Sequence, residues 1–356
     1  MDRNSRLSRR LLLQHSALAA ALLPVAGIGA ARAAEAAAVL RQAVGRGLYE
    51  IAYSPSRDTL YAAVMGDFED KKGGRILLLD PKDLSQRGAI EMPLKPFSLC
   101  LDEAKGVLYV GHTMDQAMSA VDLAKGEIRG TLRLETPEKH HPREIRLDPA
   151  GDRLFVTGIG DPSVVWVVDV AGFAVRSVIK DTGKWAAGLA YDPVTRHLLV
   201  GNYDSELVVV DSADGRIVSR QFVGAKDENF LVNITVDRKR RLFYAANSKG
   251  SEVFAFNADT LALAHRIPCG KEPLAVVIDA PRDRLIVTNR GAGKASVIAL
   301  DGYATLRTVE MGDLPNSIAV NPADGTLFLS TKQTLDKKDA TYSDTAPDSI
   351  IRAAVA

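Results

Sequence analysis

The feature that most constrains this chain is an internal repeat. An apolar run closing on a polar turn residue recurs seven times, at residues 49–54, 97–102, 143–148, 187–192, 232–237, 274–279 and 316–321, with end residues 42 to 48 positions apart. Self-similarity at that spacing marks an array of small β-units, none of which can bury its apolar faces alone. A few residues after each run comes a second apolar strand: LYAAV (60–64), LYVGH (108–112), LFVTG (154–158), LLVGN (198–202), LFYAA (242–246), LIVTN (285–289) and LFLST (327–331). The links between the two carry turn chemistry, as in DPAGD (148–152) and NPADG (321–325). Each pair therefore predicts a hairpin.

A third strand closing on Asp or Asn follows at 76–80, 119–122, 164–169, 207–211, 253–257 and 296–301, and a more polar fourth at 85–92, 127–134, 174–181, 216–223, 261–268 and 305–311. Four strands in about 44 residues is the arithmetic of a propeller blade. The seventh copy has a third strand near 349–353 but no fourth after it. Residues 39–44 supply the missing strand, and their pairing closes a ring that would otherwise leave open edges. The chain is thus expected to be all-β: one seven-bladed β-propeller of four antiparallel strands per blade over residues 34–356.

The segment before it is of another kind. Arg3, Arg6, Arg9 and Arg10 precede an alanine-rich apolar run, and Ala31-Arg32-Ala33 is a small-residue cleavage signal, so residues 1–33 read as an export peptide. SRRLLLQ (8–14) is similar to a twin-arginine signal, with Leu12 and Gln14 in place of the usual Phe and Lys, and general secretory export stays open. Pro24, Gly27 and Gly29 interrupt the apolar run, so no membrane anchor is expected. The full chain carries 45 basic and 44 acidic residues. Without residues 1–33 it loses five basic residues and one acidic, leaving 40 against 43 and a net charge of −3. A periplasmic, monomeric protein follows as the expectation. Cys100 and Cys269 lie 169 positions apart in distant blades, so no bridge between them is expected.

LFVTG (154–158) and IVTN (286–289), the latter followed by SVI (296–298), resemble the YVTN β-propeller repeat family. The likeness runs through residues 40–54, 94–97, 142–144, 158–160, 163–169, 292–294, 314–317 and 347–352, several of them outside the generic repeat. It implies a seven-bladed, non-catalytic periplasmic protein able to bind single-stranded DNA.

In a propeller the loops leading from the fourth strand of one blade to the first of the next open around the central channel. Five of these seven loops carry a cation, namely Arg46, Lys95, Arg143, Lys184 and Lys271, and four carry an aromatic, namely Tyr49, Phe97, Trp185 and Phe230. The second set of loops on this face adds Tyr203, Lys249, Arg290 and Lys294. Cations for phosphates and flat rings for bases are what single-strand binding needs. An extended polyanion on this face is the expected ligand, with a protein partner as the competing expectation. The bland alternative is that Phe97 and Phe230 fill blade cores while the charges solvate loops.

No nucleophile elbow, phosphate loop or Cys-x-x-Cys occurs in the sequence, and the recurrent aspartates sit where hairpins need capping, so neither an enzyme nor a cofactor is expected. His112, His140 and His141 fall in one sector and leave a metal-handling role as a third alternative. Trp166, on a third strand, is expected in the core.

Overall fold

The computed structural model describes residues 39–67, 72–312, 314–334, 338–339, 342–343 and 345–354. The export-peptide reading lies outside them. Among the described residues there are 28 strands, β1–β28 in chain order, in seven four-stranded sheets. The innermost strands are β2 (Leu48–Ser54), β6 (Ser98–Asp102), β10 (His141–Asp148), β14 (Gly188–Asp192), β18 (Leu231–Asp237), β22 (Pro273–Asp279) and β26 (Leu314–Val320). Each packs against the innermost strands of the two neighbouring sheets, and β26 meets both β22 and β2, so the ring is closed.

Closure works as the sequence implies. The strand β1 (Val39–Gly45) forms the outer edge of the last sheet and pairs antiparallel with β28 (Asp348–Ala353), Val39 opposite Ala353 and Gln42 opposite Ile350. The chain thereby fastens its own two ends. Within a sheet the three inner strands are largely buried, because their apolar side chains fill the space between adjacent blades. Trp166 sits there, fully buried. Outer strands are open to solvent along most of their length, as in β13 (Ala174–Ile179) and β21 (Leu263–Pro268), and β9 (Glu127–Arg133) places every second residue there.

The recurrent aspartates cap turns. Asp148 Oδ1 accepts the Gly151 N–H at 3.1 Å and Asp237 Oδ1 that of Arg240 at 3.0 Å, and both carboxylates also pair with an arginine of the turn, Arg153 at 2.7 Å and Arg240 at 3.2 Å. A buried carboxylate in this setting is satisfied by two kinds of donor and fixes the hairpin. Cys100 and Cys269 are free thiols, both pushed up to about 12 by burial.

Candidate nucleic-acid interface

In blades one, four, five and six the loop leading into the innermost strand is stitched to the loop between the second and third strands. The Met65 N–H donates to Gly47 O at 2.9 Å, Tyr203 N–H to Lys184 O at 2.8 Å, Ser248 N–H to Phe230 O at 2.9 Å and Arg290 N–H to Glu272 O at 2.8 Å. The two loop sets therefore form one face. Close approach requires glycine at two of these joints: Gly47 has φ +81° and an added Cβ would stand 2.3 Å from Gly66 O, while Gly183 has φ +88° and a Cβ there would strike Asn202.

Blades four and five bring five predicted side chains together. The Tyr203 ring lies between Trp185 and Phe230, at centroid distances of 5.1 and 5.2 Å in edge-on geometry. Lys249 Nζ stands 3.5 Å from the Tyr203 centroid, and Lys184 Nζ 5.4 Å from it and 5.5 Å from that of Trp185. Both ammonium groups are thus held against ring faces. Trp185 is 46% exposed. Its backbone is left-handed, φ +49°, as is that of Glu272 at the matching place two blades on. That conformation disfavours a bulky ring by roughly 1–2 kcal/mol. A tryptophan kept there and left half in solvent is not explained by packing.

A second group gathers at the channel itself. Tyr49 is tilted against Phe97 with centroids 4.4 Å apart, and Lys332 Nζ lies 3.2 Å from the Tyr49 centroid. Arg143 and Arg290 are within electrostatic reach of the Tyr49 hydroxyl and of Lys332. Burial pulls Lys332 down to about 7, with Asp348 opposing and both arginines reinforcing the shift. Burial likewise lowers Arg290 and raises Tyr49. Deeper in the channel, burial and the Glu144 carboxylate push Glu50 up, and Arg146 pairs with Glu144 at 2.8 Å.

Other predicted cations and rings are engaged elsewhere. Lys95 is buried, its ammonium donating to Asp67 O, and Phe97 is only 3% exposed beneath Tyr49, so neither reaches a ligand. The core-filling alternative holds for Phe97 and in part for Phe230, which packs on the cluster between blades five and six. Arg46 donates to Ser343 O at 3.0 Å and faces Asp67 at 3.7 Å. Lys271 is exposed but 3.4 Å from Glu272, and Lys294 is 3.1 Å from Glu310.

The histidines hold loops. His112 is buried with Nδ1 3.0 Å from Lys95 O and Nε2 2.8 Å from Ser119 Oγ, and burial pulls it down to about 4. His140 uses Nδ1 on Thr136 Oγ1 at 2.7 Å and Nε2 on Pro162 O at 3.0 Å, while His141 Nδ1 meets Thr113 O at 3.0 Å. Among the described residues no group of three or more His, Cys, Asp or Glu side chains is placed to hold a metal ion.

Lys332 escaped the sequence reading, although the repeat held the signal. It occupies the register of Asn247 and Asn289, the last residues of their second strands, where the asparagine braces the loop through contacts such as Asn289 Nδ2 to Ser296 Oγ at 2.9 Å. A lysine in an asparagine position cannot accept a hydrogen bond and must have another role.

No protein-family model matches the chain. A protein from Escherichia coli bearing the name uncharacterized protein YncE is 35% identical over 350 residues, 96% of this chain and 97% of its own. One of the same name from Salmonella typhimurium is 33% identical over 324 residues, 89% of this chain and 91% of its own. Among solved structures, one titled Kuenenia stuttgartiensis hydrazine synthase superposes with a TM-score of 0.70 at 15% identity, covering 81% of this chain and 93% of that one. At that identity the likeness concerns the fold.

Proposed function

This chain belongs to the YncE family of β-propellers, and from that premise we propose that it is a binding protein whose channel-mouth face captures single-stranded nucleic acid or a similar extended polyanion. The observation that carries the reading is the ladder Trp185–Tyr203–Phe230 flanked by Lys184 and Lys249. An exposed Trp185 ring continued by the half-buried Tyr203 and Phe230, with ammonium groups beside them, offers what a strand of bases and phosphates needs. Stacking on them is worth roughly 1–3 kcal/mol per base.

In this reading the protein is a non-catalytic periplasmic monomer, exported by the peptide at residues 1–33, and needs no cofactor. Among the described residues no helix is long and apolar enough to cross a membrane. The site for the polyanion comprises Lys184, Trp185, Tyr203, Phe230 and Lys249. Fluorescence anisotropy with a labelled oligonucleotide tests it. Affinity should fall steeply with salt, and Lys184→Glu with Trp185→Ala should abolish binding. Unchanged binding by that double variant refutes the assigned face. Capture of a periplasmic protein that the oligonucleotide does not displace would favour the partner reading instead.

A further inference from the structure

Arg143, Arg290 and Lys332, from blades three, six and seven, stand within electrostatic reach of one another at the channel mouth. Among the described residues no hydrogen bond or ion pair engages the side chains of Arg143, Arg290 or Lys332, and Arg290 Nε is buried without an acceptor. The carboxylate facing Lys332 is Asp348, whose Oδ2 accepts the Leu48 N–H at 2.8 Å and whose Oδ1 accepts that of Gln333 at 2.6 Å, so it forms no ion pair with the lysine. Glu272 faces Arg290 but also sits 3.4 Å from Lys271. Below, Glu50 is held toward its protonated form. Like charges gathered in a low-dielectric channel repel strongly and persist where something of opposite sign completes them.

We propose that Arg143, Arg290 and Lys332 form an oxyanion site over the Tyr49 ring that takes one tetrahedral dianion, a phosphate or sulfate group. Two guanidinium groups and an ammonium supply the charge and the donors that such a group needs. Tyr49 closes the floor, its hydroxyl kept neutral by burial, and Phe97 backs it. The site is separate from the Trp185–Tyr203–Phe230 ladder and does not depend on the polyanion reading. Its occupant is either a free anion or the terminal phosphate of a strand.

Inorganic sulfate is the probe, because its charge is constant across the pH range used. Calorimetric titration of the full chain in chloride buffer at pH 6 should show one saturable site. The groups facing Lys332 are Asp348, Arg290, Arg143 and Tyr49, with Arg46 and Asp67 lining the same small recess. Of these, Lys332 is the group that loses a proton near pH 7, so sulfate affinity should drop at least tenfold between pH 6 and pH 9. Lys332→Arg should remove that pH dependence while keeping the site. Arg143→Gln, Arg290→Gln and Lys332→Met should each weaken sulfate at least tenfold, and Lys184→Glu with Trp185→Ala should leave it unchanged.

A second readout is thermal: millimolar sulfate should raise the melting temperature of the wild-type protein above that in chloride at equal ionic strength, and the Arg290→Gln protein should lose that rise. An oligonucleotide with a 5′-phosphate that displaces sulfate, where its 5′-hydroxyl counterpart does not, assigns the group to a strand terminus; displacement by neither assigns a free anion. No saturable sulfate binding at pH 6, or equal binding by the Arg143→Gln and Arg290→Gln proteins, overturns the proposal.

Discussion

Replacing Lys332 by Met should stabilise the protein, and should do so in a defined pH window. Lys332 is 3% exposed, and burial lowers it from the ordinary lysine value of 10.5 to about 7. Below pH 7 both the folded and the unfolded chain carry the proton, so the folded state bears the full cost of a buried charge. Between about 7 and 10.5 the unfolded chain keeps a proton that the folded chain has released, and stability rises with pH. At about 1.4 kcal/mol per pH unit the ceiling is roughly 5 kcal/mol, and local relaxation around the ammonium should reduce it to about 2 kcal/mol. Methionine fills a similar volume over Tyr49 without a charge. Urea denaturation of both proteins in sulfate- and phosphate-free chloride buffer measures the difference. The variant should be the more stable by about 2 kcal/mol at pH 6, with the gap closing toward pH 10. Parallel pH profiles, or a less stable variant at pH 6, would refute the reasoning.

His112, pulled down to about 4 by burial, makes the opposite flank acid-sensitive: the unfolded chain binds its proton below 6.5 while the folded chain does not, so stability should fall from pH 6.5 to about 4. In His112→Asn, which restores the residue at the matching place in other blades and its reach to Ser119, that part of the acid dependence should vanish in denaturant titrations. Trp185→Asn relieves a left-handed backbone that asparagine tolerates, so the melting temperature should hold or rise, with about 1 kcal/mol at stake, while oligonucleotide binding is lost; a melting temperature several degrees lower would show that the ring is there for packing. A chain starting at residue 46 lacks β1 and exposes the β28 edge, so it should self-associate in sedimentation experiments; a stable monomer would contradict the role given to ring closure.

The ring was legible because every copy of the repeat repeats its own turn chemistry. Asp148 and Asp237 mark the hairpins in the sequence as clearly as their carboxylates cap them in the structure. Residues 39–44 could be matched to the last blade because the count of strands was one short. The binding face was legible as a set of loops but not as a set of available side chains. Lys95 and Lys184 occupy equivalent loops, yet the first turns under to Asp67 O and the second lies against exposed rings. That difference depends on what the adjoining loop presents, a contact that spacing within one repeat does not encode. Lys332 was hidden for the converse reason: it departs from the asparagine at its register position, and only the closed ring shows that it lies above Tyr49 beside cations from two other blades.

The two tryptophans give the most direct test of the polyanion face, because Trp166 is fully buried while Trp185 is nearly half exposed. A base stacking on Trp185 must quench its emission and leave that of Trp166 untouched. Titrating the wild-type protein with a short oligothymidylate should therefore remove the red-edge component saturably. Salt should restore it, and the Trp185→Phe protein should show no quenching. Emission unchanged by the oligonucleotide, or quenched equally in Trp185→Phe, would contradict the assignment of this face.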